Sequence, residues 1–409
     1  MKKKPQHIPM DQFCIINNEL QIGQLPLSQL TASVGQTPFY AYDRNVIKKQ
    51  IDTLRNIFPN DIHFHYAIKA NPMPAVVQYM ATLVDGFDLA SAGEMRVALD
   101  TSMPTKHISF AGPGKTDKEL TQAAASGIVI NMESENEMER ISIIADELGL
   151  TPKVAIRVNP DFELKASGMK MSGGPKQFGV DAERVPDMLK RLAELNLKFY
   201  GFHIFSGSQN LNADSIIDAH NKTFELAIRL SEHAPCQPKL LNIGGGLGIP
   251  YFPGEARIEL EPIAENLKSL LPDVQTQLPD AEIVMELGRF LVGESGVYVS
   301  KVIDKKVSRG ETFLITDGGL HHHLAASGNF GQVIRKNYPA MIGNKVEGEK
   351  ETVNVVGPLC TPLDILANKM DLTKANIGDL VVIFQSGAYG YTASPERFLS
   401  HPATLEVLC

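Results

Sequence analysis

This chain lacks most of the features that mark secreted, membrane-bound or metal-stapled proteins. Its four cysteines, Cys14, Cys236, Cys360 and Cys409, form no CxxC pair, which leaves neither a zinc site nor a thioredoxin-like motif. No apolar run is long enough to span a bilayer. The basic start, Lys2 to Lys4, meets Pro5, Gln6, His7 and Pro9 rather than an apolar stretch, so a secretory leader is not expected. Low-complexity linkers and short repeats are missing as well. Positive charge is in deficit: 39 Lys and Arg against 47 Asp and Glu give a net charge of -8. Binding to phosphate backbones needs a basic face, so neither nucleic acid nor a membrane is the expected partner, and the acidity reads as solubility. These absences together point to a cytoplasmic protein with reduced thiols.

What is present is an ordinary globular composition, 43% hydrophobic and 21% charged over 409 residues, enough for a large barrel and a smaller partner domain. β-rich runs at 63–70, 86–91, 107–112, 128–132, 153–160, 199–206, 240–246 and 282–290 alternate with helical patterns. Ser134 and Glu137 read as a capping box before Met138, Ile141, Ile144 and Leu148 at helical spacing. Another helix is expected over 215–230, with Ile216, Ile217, Phe224, Leu226 and Leu230 mostly on one side. Eight strands alternating with helices over about 240 residues is the count of a (β/α)8 TIM-like barrel, with a doubly wound sheet as the competing arrangement. After Arg289 the texture changes. Runs at 297–302, 312–316, 352–356 and 380–385, separated by Gly, Pro, Asn and Asp, predict an antiparallel β domain, a β-sandwich or β-barrel, that the run at 39–42 joins. The expected division is an N-terminal segment 1–44 joining the β domain, a barrel 45–290 and a C-terminal β domain 291–409.

A barrel builds its active site at the C-terminal ends of its strands. Lys69 ends the first run, in Tyr66-Ala-Ile-Lys69-Ala-Asn71. A lysine there either snorkels to solvent or, with its pKa lowered by desolvation, offers a neutral amine to an aldehyde. Gly244, Gly245, Gly246 and Gly248 follow the seventh strand, where backbone N–H groups can approach an anion closely. The run lacks the last glycine of a dinucleotide fingerprint, since position 249 is Ile. Glu286 ends the eighth strand in Glu286-Leu-Gly288-Arg289, either as an ion pair with Arg289 or as the holder of a proton on a heterocyclic nitrogen. Cys360 alone would read as a small buried hydrophobe.

These motifs, with Phe87-Asp88-Leu-Ala-Ser91-Ala-Gly-Glu94, Ser206-Gly-Ser208-Gln, Gly357-Pro-Leu-Cys360 and Gly387-Ala-Tyr389-Gly, resemble the fold-type III decarboxylases that depend on pyridoxal 5'-phosphate. That family contains diaminopimelate, ornithine and biosynthetic arginine decarboxylases, and the likeness runs from about Thr37 to His401. The resemblance implies an alanine-racemase-like barrel and a β domain. It implies that Lys69 joins the cofactor as a Schiff base and that Asp88 lies near Lys69. Ser208, Gly244, Gly245, Gly246, Gly288, Arg289 and Tyr389 would surround the phosphate, and Glu286 would pair with the pyridine nitrogen. Cys360 would act as acid in the site of the other subunit of a homodimer. Carbon dioxide loss leaves a carbanion, and a pyridinium kept protonated is the sink for it. Racemases of this fold set an arginine where Glu286 stands, so decarboxylation is favoured over racemisation. Lys69, Glu286 and Cys360 together speak against an inactive regulatory homologue.

Several departures bear on the substrate. Phe205 stands where the family often stacks a histidine on the cofactor ring, and His203, two residues earlier, reads as structural. Thr361 follows the cysteine where Asp or Glu is common; a hydroxyl cannot neutralise a distal ammonium, which argues against a free diamino acid. The segments 165–179 and 317–323 resemble the branch found with exosortase systems and with carrier-protein-linked amino acids. The substrate is then an L- or D-amino acid or derivative, in one version presented by an acyl carrier protein; diaminopimelate or another diamino acid is the alternative. Arg289, Arg335, Tyr338, Thr361 and Tyr389 are the candidate substrate contacts. His321, His322 and His323 spread over different faces of any regular element, so no metal site is expected, and a substrate or interface role beside Arg335 is.

Overall fold

The structure, a computed structural model, describes residues 5–162, 169–170, 173–332 and 334–409. The chain divides into two compact units: residues up to Gln50 with Pro250–Ala256 and Arg289–Cys409, and Ile51–Ile249 with Arg257–Gly288.

The second unit is a closed barrel of eight parallel strands, Ile62–Ala67, Gly86–Leu89, Ile108–Phe110, Val129–Met132, Lys153–Asn159, Lys198–His203, Leu240–Gly245 and Glu282–Leu287. Each pairs with the next, and Glu282–Leu287 closes the ring on Ile62–Ala67, with Glu286 opposite His65. A parallel strand covered on both faces must be apolar nearly throughout, which is why these runs were visible in the sequence. Val129, Ala155, Leu240 and Val284, from four different strands, pack together with Tyr200 and fill the interior near the strands' N-terminal ends. The doubly wound alternative is excluded by the closure.

Helices cover the barrel's outside. Helix Glu135–Leu148 buries Met138, Ile141 and Ile144 but leaves Leu148 exposed. Its Ser134 cap accepts from Glu137 N at 3.1 Å. The reciprocal half of the expected box does not form: the Glu137 carboxylate takes Glu133 N at 2.7 Å and buried Lys115 at 3.0 Å. A buried ammonium outcompetes a cap donor that water can reach. Helix Ala213–Ser231 buries Ile216, Phe224, Leu226 and Leu230 as expected, while Ile217 is only half-buried.

The first unit holds a mixed β-sheet rather than the purely antiparallel one expected. Its long strand Gly296–Ser308 pairs antiparallel with Phe39–Tyr42, Leu380–Ile383 and Glu311–Thr316. Two pairings are parallel: Glu311–Thr316 with Lys350–Val356, and Leu405–Leu408 with Phe39–Tyr42. The strands Ala340–Ile342, Ile365–Thr373 and Leu405–Leu408 were not foreseen. Ile365–Thr373 exposes Asn368, Lys369 and Asp371 in its middle, where Lys369 is left-handed at φ +47, and this breaks the apolar signature. The core of this unit gathers Phe39, Val297, Val299, Val382 and Phe384. Among the described residues no helix is long and apolar enough to cross a membrane.

Candidate active site

The barrel strands deliver their side chains to one end. Lys69 sits just past the first strand, in the 3-10 turn Ile68–Ala70. Its Nζ stands 3.1 Å from Glu286 Oε1 and 5.4 Å from the centre of the Phe205 ring. The two sides of the ion pair differ in setting: the lysine side chain is 42% exposed and the glutamate 3%. Burial by itself would raise the Glu286 carboxyl, but the Lys69 charge and the His203 imidazole outweigh it and hold the group well below the usual carboxylate range. His203 Nε2 lies 3.0 Å from Oε2, a short contact whose N–H is bent off the line. The lysine has therefore neither simply snorkelled nor paired at random: it faces a buried carboxylate across the barrel mouth.

Gly288 explains how this turn fits. A Cβ at this position would come within 2.9 Å of Ala70 Cβ and 3.4 Å of Ala67 O, so only glycine lets the end of the eighth strand lie against the turn carrying Lys69. The glycine run makes a second close approach. Gly244 and Gly246 are left-handed, at φ +71 and +81, and a side chain on Gly246 would press on Gly207 O at 2.9 Å. At Gly245 a Cβ would run into the Glu286 carbonyl. This leaves a loop of bare backbone beside Gly207–Ser208, with no side chain to bar close approach of an anion, although the Gly244 N–H is already taken by Asn242 Oδ1 at 2.8 Å.

Asp88 lies on the strand beside the one that leads to Lys69, paired opposite Ala67. Its carboxylate accepts a short hydrogen bond from Ser109 Oγ, which itself accepts from Asn131 Nδ2 at 3.0 Å. The other oxygen faces His65 Nδ1 at 3.4 Å. Four adjacent strands thus contribute one chain of buried polar groups, and Asp88 is an inner member of it. Glu94, half-buried, accepts from Ala90 N at 2.7 Å; burial raises its pKa, partly offset by the Lys69 charge. Neither His203 nor Glu94 stood out in the sequence as site residues. A period of two would have found the first, because His203 and Phe205 fall on one side of an extended chain.

In the β unit, Arg289 donates from Nη1 to Tyr251 Oη at 2.7 Å. Its guanidinium lies 4.7 Å from the Tyr389 ring and 5.4 Å from the Tyr251 ring. Its Nε is buried without a partner. Tyr389 adopts φ +54, a left-handed backbone uncommon outside glycine. Tyr338 packs on Tyr251, ring centres 4.7 Å apart. Arg335 is occupied by the Ser327 carbonyl and by Leu363 O at 3.3 Å.

Cys360 is exposed, at the tip of the loop between Lys350–Val356 and Ile365–Thr373, and so is not a buried hydrophobe. Thr361 Oγ1 accepts from Leu363 N at 3.3 Å. Asp364 is buried and clamps this loop: its two oxygens accept from Leu320 N at 2.6 Å and Leu359 N at 2.8 Å. The histidine run also belongs to the interior. His323 Nε2 meets Ser386 Oγ at 2.9 Å, His322 Nε2 meets Pro402 O at 2.8 Å, and His321 stacks on His322 at 3.7 Å. All three are buried in the β unit, which corrects the expected substrate or interface role: glycine-rich Asp317–Leu320 turns the chain inward there, and the rings fill core. Residues 165–168 and 171–172 of the segment 165–179 lie outside the described residues.

Known proteins resemble this chain in sequence and in fold. The chain is 36% identical over 396 residues to L-glutamyl-(BtrI acyl-carrier protein) decarboxylase of Niallia circulans, covering 95% of this chain and 92% of the relative. It is 34% identical over 400 residues to diaminopimelate decarboxylase of Aquifex aeolicus, covering 96% and 91%. The crystal structure of diaminopimelate decarboxylase from M. jannaschii superposes with a TM-score of 0.85 at 26% identity, over 97% of this chain and 92% of that one. The sequence profile described as "Pyridoxal-dependent decarboxylase, pyridoxal binding domain" matches residues 44–293, the part that carries Lys69, the glycine run and Glu286. A lysine facing a buried carboxylate at a barrel mouth is thus accompanied by full-length likeness in sequence and fold, and the chain belongs to the pyridoxal-phosphate-dependent decarboxylases, which are carboxy-lyases.

Proposed function

We propose that this enzyme removes the α-carboxylate of an amino acid, or of an amino-acid derivative, that offers no free distal ammonium, and that it works as a cytoplasmic homodimer. Pyridoxal phosphate fits the residues present: an amine beside a buried carboxylate, a phenyl ring 5.4 Å from that amine, and a glycine loop from which any side chain is excluded. When bound, the cofactor supplies the electron sink for carbon dioxide loss. Lys69 would hold it, Glu286 would keep a proton on its ring nitrogen, and Phe205, beside the lysine amine, would offer an apolar ring to pack on it. Gly244 to Gly246 and Ser208 take the phosphate, with Gly288, Arg289 and Tyr389 completing its surroundings, and Asp88 steadies the barrel floor. Cys360, exposed on its loop, returns a proton to carbon in the site of the partner subunit.

The observation that carries the substrate class is the loop after Cys360. Thr361 brings no charge, and the carboxylate that follows, Asp364, is buried at 3% exposure with each oxygen turned inward onto a backbone N–H group. A distal ammonium would find no anion on this loop, and an unpaired buried ion is costly. The carrier-linked substrate named for the Niallia circulans relative is of this kind, because its α-amino acid is presented on an acyl carrier protein. A free diamino acid is the second reading, favoured by the diaminopimelate decarboxylases among the relatives. Incubating the holoenzyme with free glutamate, ornithine, lysine and diaminopimelate, and with glutamyl-loaded carrier protein, decides between them by mass spectrometry. Free diamino acids are expected to turn over roughly a hundredfold or more below the best substrate. Thr361→Asp should narrow the gap. Efficient turnover of a free diamino acid by the unmodified enzyme overturns the proposal.

A further inference from the structure

The buried Glu286 carboxylate has two partners of opposite character. Lys69 Nζ at 3.1 Å from Oε1 belongs to a long, partly exposed arm, whereas His203 Nε2 at 3.0 Å from Oε2 is almost wholly enclosed. His203 is the last residue of the sixth strand, whose backbone is held on both sides by parallel neighbours, and its side chain is only 2% exposed, so the ring has little room to leave the carboxylate. A carboxylate oxygen only accepts, which puts the ring hydrogen on Nε2. The other nitrogen, Nδ1, is buried with no hydrogen-bond partner, and at Nε2 the N–H is bent off the line to Oε2, so the 3.0 Å contact is a close charge–dipole approach rather than a straight hydrogen bond. The ring therefore faces the carboxylate on one side and nothing on the other; it is no link in a proton path to solvent.

The amine that reacts with an aldehyde must be neutral, so the Lys69–Glu286 ion pair as it stands is not the reacting state. In the reacting state the ammonium charge no longer supports Glu286. We infer that His203 is the standing partner of Glu286, a positioning residue whose Nε2–H keeps the carboxylate ionised and its Oε1 turned toward whichever cation replaces Lys69. The inference rests on the reading of Glu286 as partner of the cofactor's ring nitrogen. It assigns a task to a histidine that the chemistry of Lys69, Cys360 and the glycine loop leaves unused. It also explains why a polar ring at 203 and an apolar ring at 205 alternate here: one serves the carboxylate, the other lies beside the amine.

The test uses apoproteins of His203→Phe, which keeps a ring and loses the donor, His203→Gln, which keeps a donor, Glu286→Gln, and the double variant His203→Phe with Glu286→Gln. Each is titrated with pyridoxal phosphate, reading the affinity and the absorption band of the bound cofactor. His203→Phe should bind roughly tenfold or more weakly with an altered band, while His203→Gln stays within about threefold of the parent. In the Glu286→Gln background the phenylalanine should add less than about threefold, because the interaction is already gone. A parent-like His203→Phe, or an equal loss in both backgrounds, overturns the inference and leaves the role of Glu286 standing. Parent-like binding and absorption by Glu286→Gln instead overturns the reading of Glu286, and this inference with it. Should His203→Phe fail to fold, 15N spectra of histidine-labelled apoprotein decide. The His203 ring resonances shift on Glu286→Gln if the bond exists, and unchanged resonances overturn it.

Discussion

At the scale of single residues, the chemistry rests on an asymmetric ion pair. Glu286 is enclosed and Lys69 is 42% exposed, so removing either partner has different consequences. Taking away the lysine leaves a carboxylate that keeps His203 and gains some water through the space the arm vacates. Lys69→Ala is therefore expected to abolish decarboxylation while lowering stability by only about 1 kcal/mol, the discount that solvent screening imposes on a half-open pair. Borohydride reduction of the holoenzyme followed by peptide mapping checks the assignment, with the pyridoxyl label expected on Lys69. A label on another lysine, or a collapsed fold in the alanine variant, contradicts it. Thr361 and Asp364 show the same point from the substrate side. Their types could be read in the sequence, but only the backbone N–H groups of Leu320 and Leu359 reveal that Asp364 is already spoken for.

At the scale of elements, helix Ala213–Ser231 carries an energetic liability. His220 lies on its buried face, and neither ring nitrogen has a partner. Burial lowers its pKa from 6.5 to about 4. The sign of the linkage follows directly. Between pH 6.5 and about 4 the unfolded chain takes up a proton that the folded helix refuses, so stability falls as the pH drops through that window. The loss amounts to about 3 kcal/mol when complete, at some 1.4 kcal/mol for each unit of difference. Urea melts between pH 4 and 7 should show His220→Leu losing less stability than the parent over this range, by a margin of that order. Equal slopes would mean that the ring opens to water before it titrates. Elements were legible where one physical rule governs the whole segment. The barrel strands qualified because both faces are covered, but Ile365–Thr373 did not, since its exposed polar middle and the left-handed Lys369 interrupt any alternation.

At the scale of the molecule, both units are discontinuous in sequence: Pro250–Ala256, within the barrel span, clusters with the β unit. If each site takes Lys69 from one subunit and Cys360 from the other, two inactive variants must complement. Lys69→Ala and Cys360→Ala, mixed under conditions of demonstrated subunit exchange, should recover about a quarter of parental activity, because half the dimers are mixed and each has one complete site of two. No recovery would place both groups within one chain's site.

What the sequence determined by itself was local. Period, composition and short motifs specify which segments are fully buried strands, where a lysine and a carboxylate end two of them, and where glycine exposes bare backbone, because each depends on neighbours a few residues away. The eight-stranded barrel followed from those periods, since its partners come in chain order. The tertiary structure alone decided what depends on residues far apart: the parallel pairing of Glu311–Thr316 with Lys350–Val356, the Ser109 and His65 partners of Asp88, and the contact between His203 and Glu286, 83 residues away. Such partners are chosen by closure of the barrel and the sheet, which brings strand ends together through hydrogen bonding between whole segments. No local preference of histidine, aspartate or glutamate encodes which strand end will face it.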